Sequence, residues 1–460
     1  MEFVIRPEQK VSAVSYDVVV VGGGTGGVFA ALAAARNGAS TALIEYKGYV
    51  GGIATEGGTG IHSFFNLWAA YPEAEKRKVI RGIPEEFIDR LTQMGGSTGH
   101  TDTIVHFDYD SDALNIDVEL YKFLALSMLR EAGVHVMLNT LAVDAIVEGD
   151  LIKGVITESH QGSEAVLAKT FIDASGYGDL CARAGAPYSE PNDYALANSM
   201  GVAGVNVEKY YEWLKEHDAV TEFARGLRSG KENQITRLSG NLHLISPVLN
   251  EAISGLGAGL ITTTTHDDYF MFIKVNMRLP LTPTNRDALA DGEFELRRRQ
   301  VETIKLIQKW VPGAENAFMT RTSPTITIRR ARAIECEYDM SPGEVVNGVH
   351  FEDDIYSYGF HDYAPRIKVK NGWTYGFPYR GIIVKKLANL FAIGMLVTTD
   401  HEAHMSTRNT VSCMAMGQGA GTAAALAALK YKGGVRDLPY SELYEALKRG
   451  NVWFDAEYCV

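Results

Sequence analysis

The chain has 460 residues, which is enough for a large hydrophobic core and favours two domains over one. Its apolar fraction of 46% is ordinary for a globular protein, and no apolar run reaches membrane-spanning length. The net charge of −12 argues against nucleic acid as a main partner, because phosphate backbones select basic surfaces.

Four cysteines, Cys181, Cys336, Cys413 and Cys459, lie far apart and form no CxxC pair. This spacing argues against an iron–sulfur cluster, a zinc ribbon and a redox-active disulfide, and it fits a reducing compartment. The first ten residues lack the long apolar centre of a signal peptide. We therefore expect a cytoplasmic protein with no membrane partner. We predict no bound metal, because no cluster of His and Asp has metal-ligand spacing.

The most informative segment is YDVVVVGGGTGGVFAA at 16–31, in which a β-branched run enters a glycine turn and leaves as an alanine-rich helix. Gly22 permits the tight turn, Gly24 lets the backbone approach a pyrophosphate, and Gly27 lets helix and sheet pack closely. Glu45 ends the next apolar run, where it can accept a hydrogen bond from a ribose hydroxyl. The pattern predicts a bound adenine dinucleotide; the alternative is a glycine turn in an empty α/β domain.

A second glycine pair, Gly51 and Gly52, follows soon after Glu45. A plain NAD-binding domain has no such pair, so the pattern favours FAD. Only one dinucleotide fingerprint of full quality is present, whereas a flavoprotein with its own NAD(P)H domain needs a second. We therefore do not expect a separate domain for NAD(P)H.

Hydrophobic periodicity and turn residues predict the elements that follow. In chain order these are a helix at 84–91, a helix at 117–132, strands at 134–138, 141–147 and 151–158 with a hairpin turn at 148–150, a strand at 169–176, strands at 261–265 and 270–277, an amphipathic helix at 292–311 with Phe294, Val301, Ile304 and Val311 on one face, and an extended arginine-rich stretch at 325–338.

After residue 371 the sequence again shows the pattern of a dinucleotide-binding domain. A strand at 387–394 ends in glycine, and an alanine-rich helix follows from Gly417. Gly417, Gly419 and Gly421 fit either close helix packing or an anion-facing helix start. The cofactor domain is therefore expected to be discontinuous, with the middle third of the chain inserted.

Four blocks together resemble a known family: GGGTGGVFAALAAARNG with Glu45, VGGIATEGG at 50–58, FIDASGYGDLCARAGAP at 171–187, and NLFAIGMLVTTDHEAHMSTRNTVSCMAMGQGAGTAAALA at 389–427. With these blocks the chain is similar to the bacterial FAD-dependent oxidoreductase family, within the glutathione-reductase-like flavoprotein superfamily. The resemblance implies non-covalent FAD. Two residues depart from the family pattern: Tyr177 stands where aspartate is common, and Met395 stands where arginine is common.

The resemblance also assigns cofactor contacts along most of the chain. The expected FAD-binding residues are Gly22, Gly24, Thr25, Gly26, Gly27, Glu45, Tyr46, Gly51, Gly52, Thr55, Val143, Ser175, Gly176, Gly394, Val411, Ser412 and Cys413. The last three begin a helix, and a helix N-terminus stabilises the negative charge of a reduced flavin.

The expected fold class is α/β, with a Rossmann-like FAD-binding domain and an inserted α+β substrate domain. The FAD-binding domain is expected to hold a parallel sheet with a small antiparallel β-meander. The predicted domains are a discontinuous FAD-binding domain over 15–63, 113–190 and 371–430, a mixed insertion over 64–112, a substrate or cap domain over 191–370, and a C-terminal helical tail over 431–460.

His401, His404 and Arg408 lie between the 387–394 strand and the last alanine-rich helix, where they can reach the flavin ring. Histidine suits acid–base chemistry at neutral pH, and arginine can hold an anionic substrate or the flavin edge. The alternatives are a surface histidine, a structural hydrogen-bond donor and a salt bridge at the helix start.

Arg329, Arg330 and Arg332 form a dense cationic stretch in an acidic protein. On a strand, Arg330 and Arg332 share one face and Arg329 takes the other. Guanidinium groups bind carboxylates bidentately, so Arg329 is a candidate substrate ligand; the alternative is ion pairing between domains. By the resemblance, Tyr379 and Arg380 belong to the cavity wall.

These observations predict an FAD-dependent oxidoreductase that transfers a hydride between flavin N5 and a small polar metabolite, hydroxylated or carboxylated. Two alternatives remain: a flavoprotein with no net redox change, such as a hydratase, isomerase or lyase, and a protein that holds FAD structurally. The expected partners are a small-molecule substrate and an electron donor or acceptor of unknown identity. A homodimer is compatible with the sequence.

Overall fold

The structure of the protein is a computed structural model that describes residues 10–57, 60–66, 71, 73–105, 112–260, 262–359, 362–363 and 366–455. The predicted insertion at 64–112 and the predicted tail at 431–460 each include residues outside these ranges. Cys459 also lies outside them.

The strands in chain order are β1 (Ser12–Val21), β2 (Thr41–Ile44), β3 (Ile61–His62), β4 (Thr101–Val105), β5 (Asp112–Leu114), β6 (His135–Met137), β7 (Leu141–Glu148), β8 (Leu151–Ser159), β9 (Gly162–Asp173), β10 (Tyr188–Ser189), β11 (Leu196–Ala203), β12 (Val220–Arg228), β13 (Lys231–Gly240), β14 (Ala258–Gly259), β15 (Thr262–Thr263), β16 (Tyr269–Met277), β17 (Phe318–Thr322), β18 (Ala333–Ile334), β19 (Asp354–Tyr358), β20 (Asp362–Tyr363), β21 (Arg366–Ile367), β22 (Tyr375–Pro378) and β23 (Leu390–Ala392).

The α-helices in chain order are α1 (Thr25–Arg36), α2 (Ile53–Glu56), α3 (Ile83–Gln93), α4 (Val118–Glu131), α5 (Asp179–Arg183), α6 (Val207–Glu216), α7 (Leu242–Ile245), α8 (Pro247–Gly255), α9 (Arg286–Trp310), α10 (Pro342–Asn347), α11 (His401–Thr407), α12 (Thr410–Lys430) and α13 (Tyr440–Arg449).

The main sheet has the strand order β6-β2-β1-β9-β8-β7, and β23 also pairs with β9. Strands β6, β2, β1, β9 and β23 are parallel, whereas β7, β8 and β9 form an antiparallel meander. The valines of Val18–Val21 are buried, as expected for a parallel strand that is covered on both faces. The predicted α/β class, with a Rossmann-like sheet and a small meander, is confirmed.

Local predictions hold where the pattern was regular. The 117–132 helix is α4, and the three strands after it are β6, β7 and β8. The predicted hairpin is confirmed, since β7 and β8 pair antiparallel across the turn at 148–150. The strand predicted at 387–394 is β23, which is shorter than expected.

Two further sheets come largely from the middle third of the chain. One has the order β14-β16-β11-β17, and the other has the order β15-β13-β12-β4-β5-β3. In the second sheet, β4 from the predicted 64–112 insertion pairs with β12. The insertion and the middle third therefore share a sheet rather than forming separate layers.

The helix predicted at 292–311 is α9, and of the four residues predicted to share a face, Ile304 and Val311 are buried whereas Phe294 and Val301 are exposed. Phe294 is 78% exposed and Val301 is 45% exposed. The buried face also includes Gly292, which fits closely against the side chains of Leu279 and Ile326, and Gln300, whose amide donates to Asn198 Oδ1 at 2.8 Å. A glycine and a buried polar residue hide this face from a pattern based on hydrophobicity alone.

Helices α1 and α12 come from opposite ends of the chain and pack backbone against backbone. A Cβ added at Gly417 would lie 2.3 Å from the Gly26 carbonyl oxygen, and one at Gly421 would lie 2.1 Å from the Ala30 carbonyl oxygen. Of the two readings of these glycines, close helix packing is therefore the correct one for Gly417 and Gly421.

Gly421→Ala is expected to lower the free energy of unfolding by about 1–3 kcal/mol, because the new methyl group must push α1 and α12 apart. The matched control is Gly255→Ala in α8, where an added Cβ meets no described atom within 4 Å. Urea unfolding of the FAD-saturated variants, followed by circular dichroism, measures both changes. Equal stability of the two variants would contradict the close contact.

His266 connects the middle third to α4, because its Nε2 lies 2.7 Å from Oδ2 of Asp117, the N-cap residue of that helix. The hydrogen bond to Asp117 raises the pKa of His266. Stability from the charged pair is therefore fully present below the unfolded-state pKa of about 6.5 and is lost as pH rises through the folded-state pKa.

We expect His266→Gln to melt at a lower temperature than the unsubstituted protein near about pH 5.5, and the gap to shrink as pH rises toward about 9. Melting temperatures measured at several pH values test this expectation. A gap that does not change with pH would mean that the charge of His266 contributes nothing.

Candidate functional site

A cavity of about 1040 Å³ opens where the parallel strands of the main sheet end. Residues directly after β1, β2, β9 and β23 line one side, and residues from the middle third line the other. The carboxyl edge of an open parallel sheet is where such folds bind ligands. The volume is at the upper end of the range for small-molecule and cofactor sites, about 300–1,000 Å³.

The glycine turn between β1 and α1 forms a cradle that fits a phosphate. Gly22 has φ +102°, a conformation that side chains rarely adopt. Gly24 is the N-cap of α1 and supplies no capping side chain, so the first N–H groups of the helix face the cavity. A Cβ added at Gly24 would meet, among the described residues, only the Ala174 carbonyl oxygen at 3.8 Å. The surface at Gly24 is therefore open for a ligand.

Glu45 is held rigidly at the end of β2. Its Oε2 accepts from the Gly23 N–H at 2.7 Å, and its Oε1 accepts from the Lys47 N–H at 2.9 Å. The side chain lines the cavity, although burial raises its pKa. Each carboxylate oxygen keeps a lone pair, which suits a ribose hydroxyl.

The second glycine pair completes this side of the cavity. The Gly51 N–H donates to the Gly23 carbonyl at 2.8 Å, and the Gly51 carbonyl accepts from Thr25 Oγ1 at 3.2 Å. Gly52 lines the cavity at φ +51°, whereas Thr55 turns back and donates to the Gly52 carbonyl at 3.0 Å. Thr55 and Gly51 therefore support the cradle from behind.

The structure brings most of the expected cofactor residues to the cavity. Those that line it are Gly22, Gly24, Thr25, Gly26, Glu45, Tyr46, Gly52, Ser175, Gly176, Gly394 and Cys413. Those that do not are Gly27, Gly51, Thr55, Val143, Val411 and Ser412.

The contacts of Gly27, Val411, Ser412 and Val143 explain why these expected residues do not line the cavity. A Cβ at Gly27 would lie 1.9 Å from the Gly22 carbonyl oxygen, so this glycine serves helix packing. Ser412 Oγ lies 2.6 Å from the Tyr356 hydroxyl, and Val411 is fully buried. Beside Val143, the residues that face the cavity are 140–142.

At the start of α12, Cys413 lines the cavity as a protonated thiol. Burial raises its pKa to about 12, and its Sγ donates to the Arg408 carbonyl at 3.3 Å. It is therefore not a nucleophile at neutral pH. Asn409 caps the helix by accepting from the Val411 N–H at 3.1 Å.

His401 and Arg408 reach the cavity from α11 and its end. The Nδ1 atom of His401 lies 2.8 Å from Asp193 Oδ2, and its ring stacks on Tyr194 with centroids 4.4 Å apart. The Arg408 guanidinium lies 5.1 Å from the Tyr194 ring centroid, and its Nε is buried without a hydrogen-bond partner among the described residues.

His404 does not line the cavity, which corrects its assignment as a residue that contacts the flavin or the substrate. Its side chain is completely buried behind Tyr194. Burial, together with the nearby Arg330 and Arg408, lowers its pKa well below the ordinary value. His404 is therefore a neutral hydrogen-bonding group inside the protein.

The arginine side chains at 329–332 do not point to alternate sides as they would on a regular strand. Arg329 lines the cavity and donates to the Ala195 carbonyl. Arg330 is buried, pairs with Asp193, and donates to the backbone carbonyls of Thr398 and Thr399. The alternative of ion pairing between segments therefore describes Arg330.

Arg332 likewise points away from the cavity and pairs with Asp179 and Glu190. The sequence 325–338 forms only the short strand β18 and two isolated bridges, so its side chains do not alternate as they do on a strand.

Tyr379 and Arg380 lie outside the cavity lining, which corrects the expectation that they form its wall. The Tyr379 hydroxyl donates to the Val435 carbonyl at 2.7 Å, and Arg380 pairs with Asp353 at 2.5 Å. Both residues hold neighbouring segments of the fold together.

Several lining residues escaped the sequence analysis. They are Tyr49, Lys47, Glu56, Tyr194, Lys274, Arg278 and Glu293. Glu56 falls inside the second glycine block, which was a usable signal. Tyr194 lies in a loop with no local pattern, so only the tertiary structure brings it to the site.

Gly24→Ala is expected to fold normally but to bind FAD at least about tenfold more weakly, because its methyl group occupies only ligand space. Fluorescence titration of the apoprotein with FAD measures the affinity, and melting temperature checks the fold. The matched variant Gly27→Ala should instead lose stability, since its Cβ collides with backbone. Unchanged FAD affinity in Gly24→Ala would contradict the assigned cradle.

Known families and proteins resemble this chain over different parts of its length. A family model described as FAD dependent oxidoreductase matches residues 17–447. A digeranylgeranylglycerophospholipid reductase from Methanospirillum hungatei is 32% identical over 177 residues, covering 36% of this chain and 40% of that protein. A 3-oxosteroid 1-dehydrogenase from Mycobacterium tuberculosis is 40% identical over 70 residues, covering 15% of this chain and 11% of that protein. The chain thus spans less than half the length of these relatives.

A crystal structure of a geranylgeranyl bacteriochlorophyll reductase-like protein from Thermoplasma acidophilum matches with a TM-score of 0.50 at 15% identity, covering 95% of this chain and 84% of that one. At this identity the match concerns the fold alone. Among the described residues, no helix combines the length and the hydrophobicity needed to cross a bilayer. The cytoplasmic location stays a prediction. The family match over most of the sequence establishes that the chain belongs to the FAD-dependent oxidoreductase family, with FAD as its cofactor.

Proposed function

We propose that the protein transfers a hydride between FAD and a small polar metabolite that carries a hydroxyl or carboxyl group. One observation carries this proposal: a single cavity joins the dinucleotide cradle to a wall with cationic and hydrogen-bonding side chains, including Arg329, His401 and Arg408. FAD supplies the hydride acceptor or donor. The protein must bind and orient the substrate and must transfer one proton.

The residues fit the cofactor at its phosphate and ribose ends. The N-terminus of α1, next to Gly24, would hold the pyrophosphate, and Glu45 would hold the adenosine ribose. Gly52, Gly176 and Gly394 line the rest of the path without side chains that block it. The start of α12 would face negative charge through its helix dipole.

The charge arrangement favours an anionic substrate. Four carboxylates along the cavity wall already have cationic partners: Glu56 pairs with Lys47, Asp179 with Arg332, Asp193 with Arg330, and Glu293 with Arg297. Glu45 is held by backbone N–H groups instead. Arg408 pairs with no carboxylate among the residues that the structure describes. Because a partly buried guanidinium gains most from a bidentate anion, Arg408 is our candidate ligand for a substrate carboxylate.

His401 is our candidate proton carrier. It lies at the cavity wall, and Asp193 fixes the orientation of its ring through Nδ1. An imidazole oriented by a carboxylate is a common arrangement for general acid–base catalysis.

Anaerobic mixing of the FAD-loaded protein with a panel of hydroxylated and carboxylated metabolites tests the proposal. We expect at least one compound to bleach the visible flavin absorbance. Polyprenyl lipids and 3-oxosteroids belong in the panel, because the names of the two relatives refer to such compounds. Bleaching by these alone would contradict a polar substrate, and a protein that never exchanges electrons would contradict an oxidoreductase. A substrate converted at constant oxidation level would support the hydratase, isomerase or lyase alternative.

Arg408→Met is expected to lower kcat/KM for an anionic substrate from that panel by about 10- to 100-fold, because a charge-assisted hydrogen bond is lost. Arg408→Lys should keep part of the activity. The control is Arg298→Ala on α9, whose exposed side chain pairs with Glu295 and Glu302 far from the cavity lining. Steady-state kinetics of FAD-saturated variants give the comparison, and an unchanged Arg408→Met value would exclude this role.

A further inference from the structure

Tyr194 stands between the cavity and His404. Its ring lines the cavity and is 8% exposed. Its hydroxyl lies 2.9 Å from His404 Nδ1 and 3.3 Å from the His401 carbonyl oxygen. The other nitrogen of His404, Nε2, lies 3.1 Å from the Met395 carbonyl oxygen.

These contacts fix the direction of each hydrogen bond. A carbonyl oxygen can only accept, so His404 Nε2 carries the hydrogen that Met395 accepts. His404 is neutral, because it is completely buried and cationic groups surround it, so it carries that single hydrogen. Its Nδ1 is therefore an acceptor, and the Tyr194 hydroxyl donates to it.

The charged neighbours preserve this arrangement. The Arg330 guanidinium lies 5.5 Å and the Arg408 guanidinium 5.1 Å from the Tyr194 ring centroid. His401 stacks on the same ring with centroids 4.4 Å apart, and Asp193 pairs with Arg330. A second proton on His404 would add another cation to this group, so the neutral form persists.

The Tyr194 hydroxyl has one proton, and a protein acceptor already takes it. The oxygen therefore offers only lone pairs to its remaining neighbours, of which the Arg408 guanidinium is one. A ligand group beside it must bring its own hydrogen. A hydroxyl group placed there makes a hydrogen bond that a carbonyl group cannot make, so this requirement discriminates between ligands.

We propose that Tyr194 is a specificity-determining residue that accepts a hydrogen bond from a hydroxyl group of the substrate, and that His404 is a positioning residue that fixes the Tyr194 hydroxyl as an acceptor. The proposal rests on the proposed function and deepens it. An alcohol has the hydrogen that Tyr194 requires, whereas the corresponding ketone has none. The cavity therefore holds the alcohol more tightly than the corresponding ketone.

Matched pairs of probes test the discrimination without turnover. The pairs are lactate with pyruvate, mandelate with benzoylformate, and cyclohexanol with cyclohexanone. Their binding is followed by perturbation of the visible flavin spectrum, using oxidised protein for the oxo members and a short anaerobic mixing time for the hydroxy members. In at least one pair we expect the hydroxy member to bind about tenfold more tightly. Equal binding throughout, tighter binding of the oxo members, or no binding of any hydroxy member overturns the proposal.

Three variants separate a hydrogen-bond role from a structural one. Tyr194→Phe keeps the ring and should reduce the discrimination to less than about threefold. His404→Gln can still donate to Met395 and accept from Tyr194, so it should retain the preference. His404→Leu leaves only the His401 carbonyl, 3.3 Å away, as a protein acceptor for the Tyr194 proton, so the preference for the hydroxy member should weaken. If His404→Leu and His404→Gln behave alike, His404 does not act through hydrogen-bond direction.

Tyr375→Phe is the control for losing a buried tyrosine hydroxyl near α11. The Tyr375 hydroxyl lies 2.8 Å from Ser406 Oγ and outside the cavity lining. This variant should leave the discrimination unchanged, and a change as large as that in Tyr194→Phe would overturn the assignment.

A measurement on the ligand-free holoprotein separates this proposal from the proposed function. Nitrogen-15 NMR of histidine-labelled protein, assigned with His404→Gln, should show His404 with a protonated Nε2 and an unprotonated Nδ1. A protonated Nδ1 would overturn the inference even if the flavin accepts electrons from a substrate. The expected tautomer with a flavin that never exchanges electrons would instead locate the failure in the proposed function.

Discussion

The backbone contact between α1 and α12 is the constraint on which the site depends. These helices belong to opposite ends of the chain. Gly417 and Gly421 have no side chains, so the backbones of the two helices can pack in direct contact. The contact places the N-terminus of α1 and the start of α12 beside one cavity, so both helix dipoles point toward the same ligand. Because bulkier residues at these positions would collide with α1, the glycines serve the cofactor site without touching the cofactor.

Electrostatic pairing then determines what remains available in the cavity. Most carboxylates at the wall are neutralised by cations that lie behind it, as Arg330 neutralises Asp193. The same pairs connect segments that are far apart in sequence, so they stabilise the cavity wall while they reduce its negative charge. Arg408 is one of the cationic residues that line the ligand space, with Lys274, Arg278 and Arg329. A wall built in this way can attract an anion in a protein whose overall charge is negative.

Around Tyr194, the important property is the direction of hydrogen bonds. His404 contributes from complete burial, where a neutral imidazole can be both donor and acceptor. The nearby arginines keep it neutral, so the chemistry of the cavity surface depends on a residue that the ligand cannot reach. This arrangement links the Met395 carbonyl, which follows β23, to the surface that receives the substrate.

The sequence by itself determined the fold class and the family, because the glycine turn at Gly22 and Gly24 and the acidic residue Glu45 follow a local pattern. Helix and strand predictions were good where periodicity was regular, and they were wrong for Phe294 and Val301 of α9, whose buried face includes a glycine and a glutamine. Only the tertiary structure decided which of Arg329 and Arg330 faces the cavity, since irregular backbone has no period that fixes side-chain direction. The same holds for the Tyr194–His404 pair, whose members are 210 residues apart and meet only through long-range packing.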